Sequence, residues 1–278
     1  MLFRSDPILL ARPNGKLFSE AKSRNLDVRP LTFMALRSLA RKVDLVHTHD
    51  AKAHAMAAVA GGAPIVVSRR VGFPVHKGWM SRWKYDRAEM FLAVSRFVAQ
   101  RLEEAGVEPE VIRVVYDGVP IPEDPSLPGS GRVVVLANKP ADIPGVVTER
   151  TEDLWKSLVT ASVFVYKSQL EGQGSAALAA MACGVPVVAS AVGGLVEAVQ
   201  HGRTGYLVHD GDYAKPVRKL LADPLLAALM GATARERAQR EFSVEVMVKN
   251  TKRCYRETLG MDAADESNDQ NDQEVAAS

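Results

Sequence analysis

The sequence predicts an α/β protein built from two domains, each with a parallel β-sheet. Short runs of β-branched residues alternate with helical patterns along almost the whole chain of 278 residues, and this order is typical of βαβ units with parallel strands. A segment rich in proline and glycine, residues 119–131, separates two such series, and the length favours two modest domains. We therefore predict domains over residues 1–118 and 132–260, joined by a linker over residues 119–131.

The first domain is predicted from strand and helix patterns that alternate up to residue 118. The predicted strands are residues 7–13, 26–31, 44–49, 64–70, 90–95 and 111–118. The predicted helices between them are residues 15–25, 33–42, 51–61, 81–88 and 96–106. Strands joined by crossover helices lie parallel, so this series predicts a parallel sheet.

The second domain is predicted from a shorter series of the same kind. Strand patterns cover residues 132–138, 145–150, 163–168 and 205–210, a helix covers residues 151–161, and further helices extend to about residue 260. Residues 261–278 are acidic, contain no basic residue and are poor in large apolar side chains. We expect this acidic tail to be disordered.

Residues 177–196 contain no charged side chain, so a membrane span has to be considered. Gly184 and Pro186 interrupt this stretch and end a helix that begins near Ser175, because glycine caps helix C-termini and proline cannot continue the hydrogen-bond ladder. A membrane span needs about 20 residues in one helix. We instead predict a helix, a buried strand over residues 185–190 and a further helix over residues 195–202.

Two glycine-containing loops, residues 170–175 and 190–195, each follow a predicted strand and lead into a helix. Free N–H groups at a helix N-terminus attract anions, and glycines let a ligand approach the main chain. Ligands of open α/β sheets bind at such strand ends. Glu171 lies in the first loop, where its carboxylate can accept hydrogen bonds from sugar hydroxyls; alternatively, it caps the helix and the glycines only form turns.

Net charge, cysteine positions and the N-terminal segment limit the classes of protein to which the chain can belong. A formal net charge of +2 does not indicate nucleic-acid binding. Cys183 and Cys254 are far apart, so neither a disulfide framework nor a zinc site is predicted. The N-terminus has no continuous apolar segment of the kind a signal peptide needs. We expect a cytoplasmic protein.

The chain resembles the retaining family 4 glycosyltransferases most closely over residues 171–212, EGQGSAALAAMACGVPVVASAVGGLVEAVQHGRTGYLVHDGD. The family pattern is E-G-F-G-x-x-x-L-E-A-M-A-x-G-x-P-V-V-A-S, followed by G-G-x-x-E-x-V and G-x-T-G-x-L-V. Similar segments extend the resemblance over roughly residues 7–260. It implies a GT-B fold, with two Rossmann-like domains facing a central cleft, and transfer of a sugar from a UDP- or GDP-linked donor to an acceptor hydroxyl. It implies a nucleotide-sugar co-substrate and neither a cofactor nor a metal.

The resemblance also implies roles for single residues. Glu171 would hold hydroxyls of the donor sugar, and Lys139 is the candidate cation for the departing diphosphate, where developing charge needs stabilisation. The donor-binding candidates are Gly172, Gln173, Gly174, Ser175, Gly193, Gly194 and Glu197. The second glutamate of the family pattern, which usually binds the donor ribose, falls on Ala179.

Two further departures concern length. The chain begins at what resembles the family's second strand, so the first βα unit is predicted to be missing, and the second domain is short. These departures and Ala179 leave open a non-catalytic, glycosyltransferase-like binding or partner protein.

The acceptor side is predicted from basic and aromatic residues of the first domain. Arg69 and Arg70 stand where the family often has a histidine, and they would bind a phosphate or form a solvated strand end. His49 is a further candidate for the acceptor or phosphate side. Residues 73–84 mix basic and aromatic side chains, which suits peripheral contact with a membrane or a simple exposed loop. We expect a saccharide or lipid-linked acceptor, cell-envelope synthesis and a location at the inner membrane face.

Two rival readings come from other classes of enzyme. His47, His49, Asp50 and His54 have the residue types of a metallohydrolase site, although a strand-to-helix turn also accounts for them. A glycosidase needs a second carboxylate opposite the first, and Glu197 is the obvious partner for Glu171.

Overall fold

A computed structural model of the protein describes residues 7–75, 78–125, 130–137, 143, 148–150 and 153–261. Lys139 and residues 262–278 of the predicted acidic tail lie outside the described residues.

The described strands and helices alternate along the chain. The strands are β1 (Leu9–Ala11), β2 (Val28–Pro30), β3 (Val46–Thr48), β4 (Ile65–Arg69), β5 (Met90–Ala93), β6 (Ile112–Val114), β7 (Val133–Ala137), β8 (Thr148–Arg150), β9 (Val163–Lys167), β10 (Val187–Ser190) and β11 (Gly205–Val208). The helices are α1 (Lys16–Ser23), α2 (Phe33–Leu39), α3 (Ala51–Ala60), α4 (Trp79–Tyr85), α5 (Arg96–Glu103), α6 (Leu154–Leu158), α7 (Ser175–Ala182), α8 (Leu195–Ala198), α9 (Ala214–Ala222), α10 (Pro224–Phe242) and α11 (Val244–Thr258).

The strands form three sheets. Their orders are β1-β2, β3-β4-β5-β6 and β11-β10-β9-β7-β8. Strand pairing is parallel between β1 and β2, between β3 and β4, and along the whole five-stranded sheet. The predicted α/β class with parallel sheets is confirmed.

Contacts divide the chain into two compact units. The first comprises Met1–Ser68, Gly78–Phe91 and Lys252–Ser278, and the second comprises Arg69–Lys77 and Leu92–Thr251. This division does not follow the predicted linker, whose first residues are held inside the second unit. The Val119 N–H donates to the Phe242 carbonyl at 2.8 Å, and the Arg235 guanidinium donates to the carbonyls of Pro122 and Glu123. A hinge at residues 119–131 stays a prediction.

Side-chain caps set where several helices begin. Thr32, Asp50, Ser95, Asp153 and Asp223 each accept a backbone N–H from the first turn of α2, α3, α5, α6 and α10. These residue types satisfy N–H groups that have no partner inside the helix. The capped helices therefore begin where short polar side chains precede helical patterns in the sequence.

The uncharged stretch, residues 177–196, divides into α7, β10 and the start of α8 as predicted. Ala177–Ala182 of α7 and every residue of β10 are buried, so the lack of charge reflects a core position. The predicted helix over residues 195–202 was too long, since α8 ends at Ala198 and the Gln200 N–H instead donates to the Thr204 hydroxyl at 2.9 Å. Across the part of the chain that the structure describes, no helix is long and apolar enough to cross a membrane.

Both faces of the five-stranded sheet are covered in the second unit. Phe164 contributes to a core that includes α7, while Val163 and Val165 contribute to a core that includes Val217 and Leu220 of α9. This alternation is the period of two of a β-strand. The C-terminal ends of β9 and β10 consequently lie side by side at one edge of a buried sheet.

Candidate functional site

The two glycine-containing loops that follow β9 and β10 pack directly on each other. The Gly194 N–H donates to the Glu171 carbonyl at 3.1 Å. A Cβ atom at Gly193 would lie 2.1 Å from the Glu171 carbonyl oxygen, and one at Gly194 would lie 2.1 Å from the Gly172 carbonyl oxygen. Any larger residue would force the loops apart, so these glycines are required by the loop–loop contact itself.

The first loop is also held by residues of the segment Leu92–Thr251 that precede it in the chain. The buried Ser95 hydroxyl donates to the Gly172 carbonyl at 2.6 Å, and the Asp117 N–H donates to Gln173 Oε1 at 2.7 Å. The Nε2 atom of Gln173 is buried with no hydrogen-bond partner among the described residues. The Oε1 atom of Gln173 therefore fixes the first loop against Asp117.

The carboxylate of Glu171 is oriented by two hydroxyl groups. The Tyr166 hydroxyl donates to Glu171 Oε1 at 2.7 Å and the Ser168 hydroxyl at 2.8 Å. Burial, and then the neighbouring carboxylate, raise the pKa of Tyr166, so the phenol stays protonated and keeps donating. Glu171 is half-buried in the loop after β9, and the two donors fix the direction of its carboxylate.

Helix α7 begins without a side-chain cap. Its N-cap residue is Gly174, which has a left-handed backbone (φ 92°) and no side chain that could accept an N–H, and no capping bond from another side chain is found among the described residues. The alternative that Glu171 caps this helix is therefore not observed in the structure. The first turn of α7, with the exposed Ser175, keeps the partial positive charge that favours an anion.

Glu197 caps a different helix. Its Oε2 atom accepts the Arg96 N–H and its Oε1 atom accepts the Phe97 N–H, each at 2.8 Å, and the Tyr116 hydroxyl donates to Oε2 at 3.2 Å. Ser95 completes the cap of α5 by accepting the Val98 N–H at 3.1 Å. Both carboxylate oxygens are thus used at the N-terminus of α5, and a donor contact of Glu197 stays a prediction.

The predicted acceptor-side residues already have partners. Arg69 donates to the Phe73 carbonyl, and Arg70 forms an ion pair with Asp117 at 3.3 Å. Burial raises the pKa of Asp117, and Arg70 opposes that rise. In the first unit, the rings of His49 and His47 lie 4.1 Å apart. A phosphate at either arginine would therefore have to compete with contacts that exist in the structure.

The histidine-rich segment of the first unit serves packing and capping. Asp50 caps α3, and His54 is buried, with Nε2 3.1 Å from the Lys84 carbonyl. Burial lowers the pKa of His54 to about 4. His47 lies between the Tyr255 hydroxyl at 2.6 Å and the Ser68 hydroxyl at 2.8 Å. Among the residues that the structure describes, no three His, Cys, Asp or Glu side chains could hold a metal ion together.

The side chains of Ser95, Tyr166 and Ser168 and the main chain of Asp117 contact the first loop, and none of these residues was identified as part of the site from the sequence. Tyr166 shares a strand face with Phe164 by the period of two, and it lies five residues before Glu171, so that pairing could have been inferred. Ser95 is recognisable as a helix cap, but its second partner, Gly172, is distant in sequence. No local pattern indicates that contact.

The other face of the same sheet carries an opening of about 340 Å³ at the end of β9. Its lining includes Lys167, Asp212, Tyr213 and Arg218. The Lys167 ammonium lies 5.0 Å from the centre of the Tyr213 ring. Lys167 lies on the face opposite Tyr166, because the two residues are neighbours on the strand.

Two family models match the chain. One, described as Glycosyl transferases group 1, matches residues 146–237, and the other, described as Glycosyltransferase Family 4, matches residues 5–122. The two matches together cover most of the chain and support its membership of glycosyltransferase family 4. The resemblance inferred from residues 171–212 is therefore confirmed.

Curated relatives of this family member are similar over parts of their length. Alpha-maltose-1-phosphate synthase of Mycolicibacterium smegmatis is 41% identical over 115 residues, 38% of this chain and 30% of the relative. N-acetyl-alpha-D-glucosaminyl L-malate synthase of Bacillus anthracis is 35% identical over 113 residues, 40% of this chain and 30% of the relative. The match thus spans less than a third of either relative.

Solved structures similar to this glycosyltransferase family member confirm its GT-B fold class. Anabaena Alr3699/HepE in complex with UDP-glucose has a TM-score of 0.73 and 18% identity, with 88% of this chain and 89% of that chain covered. A glycosyltransferase from Rickettsia africae has a TM-score of 0.71 and 16% identity, with 89% of both chains covered.

Proposed function

We propose that the chain transfers a sugar from a UDP- or GDP-linked donor to an acceptor hydroxyl with retained anomeric configuration. The observation that carries the proposal is the Glu171 carboxylate, oriented by Tyr166 and Ser168 beside the uncapped N-terminus of α7. Family membership and the nucleotide-sugar complex of the Anabaena protein support it. The carboxylate supplies a sugar contact and the helix terminus a diphosphate contact within one loop.

Each part of the loop has a separate task in this proposal. Glu171 accepts hydrogen bonds from hydroxyls of the donor sugar and so fixes the direction of the anomeric carbon. Transfer breaks the bond between that carbon and the diphosphate and forms a bond from the carbon to the acceptor oxygen, whose proton passes to the departing diphosphate. The charge that develops on the diphosphate is stabilised by the first-turn N–H groups of α7. Lys139 remains our candidate for an additional cation. Neither a cofactor nor a metal enters the proposal, so we expect activity to survive EDTA.

Ala179 is the position that weighs against catalysis. The family pattern has a glutamate at this position, and this chain has an alanine whose side chain is buried in the core around α7. An absent contact of this kind lowers ligand affinity by about 1–3 kcal/mol when the ligand group is left unsatisfied. The alternative is a non-catalytic chain that uses the first loop, residues 170–175 (the donor loop), only to bind a ligand or a partner.

We further propose a saccharide or lipid-linked acceptor, a role in cell-envelope synthesis and a location on the cytoplasmic side of the membrane. The relatives that support a cell-envelope role include a capsular polysaccharide biosynthesis glycosyltransferase of Staphylococcus aureus, which is 32% identical over 97 residues. The aromatic and basic side chains near residues 73–84 support the location.

A thermal-stability screen with UDP- and GDP-sugars tests the proposal first. A ligand present at 100 times its dissociation constant stabilises the native state by about 2.7 kcal/mol. We expect one nucleotide sugar to raise the melting temperature of the wild type and to release its nucleoside diphosphate over time. Stabilisation without release would support the non-catalytic alternative, and no stabilisation by any nucleotide sugar at millimolar concentration would refute the proposal.

A further inference from the structure

Helix α4 (Trp79–Tyr85) directs its largest apolar side chains into solvent. Trp79 is 81% exposed, Met80 66% and Trp83 39%, and the helix contains no buried residue. Positions i, i+1 and i+4 lie on one side of a helix, so the three side chains form one continuous face. Contiguous exposed apolar side chains of this kind mark surfaces that bind a protein, a membrane or another ligand.

Packing on the opposite side fixes the direction of this face. Tyr85 stacks on Phe91 with ring centres 5.2 Å apart, and its ring centre lies 5.3 Å from that of His54. His54 also contacts the Lys84 carbonyl at 3.1 Å. All of these residues belong to the first unit. The helix therefore cannot turn its tryptophans inward without giving up the contacts of Tyr85 and His54.

Basic residues surround the aromatic face. Residues 79–88 include the three basic residues Arg82, Lys84 and Arg87 and the single acid Asp86. The Arg87 guanidinium lies 4.8 Å from the centre of the Trp83 ring. Tryptophan prefers the headgroup level of a bilayer, and basic side chains next to it are attracted by anionic lipids.

We propose that the outward face of α4, formed by Trp79, Met80 and Trp83 with Arg82 and Arg87, docks on the surface of an anionic bilayer. The charge selects this occupant over a second copy of the chain, because a symmetric contact through the face would bring like charges together. The surface does not involve the donor loop. The proposal rests on the membrane location proposed above and assigns a surface to it, but it is independent of the transfer reaction, so the vesicle experiment and the nucleotide-sugar screen can fail separately.

Co-sedimentation of the full chain with lipid vesicles tests the proposal. Equimolar phosphatidylglycerol and phosphatidylcholine vesicles are compared with vesicles of phosphatidylcholine alone. We expect binding to the anionic vesicles and at least tenfold weaker binding to the neutral ones. Each basic residue near an anionic surface contributes about fivefold in affinity, so the Arg82→Gln, Arg87→Gln double variant is expected to lose about 25-fold.

The tryptophans have a matched control within the chain. The Trp79→Ser, Trp83→Ser double variant is expected to lose at least tenfold in vesicle affinity, whereas Trp155→Ser, which changes a 38% exposed tryptophan on α6, is expected to stay within twofold. The chain has three tryptophans, so in Trp155→Phe the fluorescence reports only on the α4 pair, and it is expected to shift to the blue on vesicle addition.

Three outcomes would overturn the proposal. Equal binding to neutral and anionic vesicles would show that anionic lipids do not attract the protein. Unchanged vesicle binding of the Trp79, Trp83 double variant would show that the outward face of α4 is not the docking surface. The third outcome is a wild type that forms a concentration-dependent dimer in sedimentation equilibrium but binds no vesicles. If the double variant lost that dimer, the face would be assigned to a second copy of the chain.

Discussion

Replacing Glu197 by alanine separates a helix-capping role from a donor-binding role for this residue. The carboxylate accepts the Arg96 and Phe97 N–H groups at 2.8 Å each, so the variant leaves both donors at the N-terminus of α5 without their acceptor. The loss combines two effects. Removing a side-chain cap costs about 0.5–2 kcal/mol, and removing a negative charge from a helix N-terminus costs about 0.3–1 kcal/mol.

The expected total for Glu197→Ala is about 1–3 kcal/mol, which corresponds to a melting temperature lower by about 2–10 °C. Glu197→Gln keeps one acceptor oxygen and loses the charge, so its effect is expected to be smaller. Hydrogen exchange followed by mass spectrometry gives the local readout. We expect faster exchange in the peptide that contains Arg96 and Phe97, because their N–H groups lose protection.

Glu108→Ala is the matched control, because Glu108 is exposed and its side chain caps no helix. It is expected to leave both the melting temperature and the exchange of α5 unchanged. The reasoning would be refuted if Glu197→Ala kept its melting temperature and the protection of α5 while nucleotide-sugar affinity fell. That result would place Glu197 among the donor ligands.

Three further predictions concern the loops and the first unit. Glu171→Gln is expected to lower sugar transfer by up to about 100-fold, since a hydrogen bond to a charged acceptor contributes up to about 3 kcal/mol. Its melting temperature is expected to stay within about 2 °C of the wild type, and unchanged turnover would show that Glu171 is not part of the donor site. Gly194→Ala is expected to lower the free energy of urea unfolding by about 1–3 kcal/mol, because its Cβ would meet the Gly172 carbonyl. Gly78→Ala, with open space around its Cβ, is the control. Equal effects of the two substitutions would contradict the clash. The pKa of His54 is low, about 4, so the unfolded chain takes up a proton first as the pH falls. The free energy of unfolding of the wild type is therefore expected to fall by about 1–3 kcal/mol between pH 6.5 and 4, and that of His54→Gln is expected not to show this fall. Parallel pH profiles of the two proteins would argue against a buried neutral imidazole.

The α/β class was predictable because it depends on local patterns. Runs such as residues 163–168 and 185–190 show strand composition, and Gly184 with Pro186 marks the break that excludes a membrane span. The donor loop was predictable for the same reason, since Glu171 and its glycines are adjacent in sequence. The end of α8 was missed because the Thr204 hydroxyl, from the following turn, takes the Gln200 N–H.

Contacts between distant segments were not predictable. The Glu197 carboxylate accepts N–H groups of α5 from about a hundred residues earlier in the chain. The Ser95 hydroxyl donates to the Gly172 carbonyl, 77 residues later in the chain. Periodicity also shows which residues of α4 share a face, but it does not show which face packs. An apolar face that includes Trp79 and Trp83 would ordinarily be placed inward, whereas the exposure of both tryptophans and the packing of Tyr85 show that it points outward.

The most direct test of the account is turnover of the nucleotide sugar that stabilises the protein, followed by proton NMR with an acceptor supplied. The account predicts appearance of the free nucleoside diphosphate together with a product whose anomeric configuration equals that of the donor, and loss of both signals in Glu171→Gln. A product of inverted configuration, or identical turnover in wild type and Glu171→Gln, would contradict it.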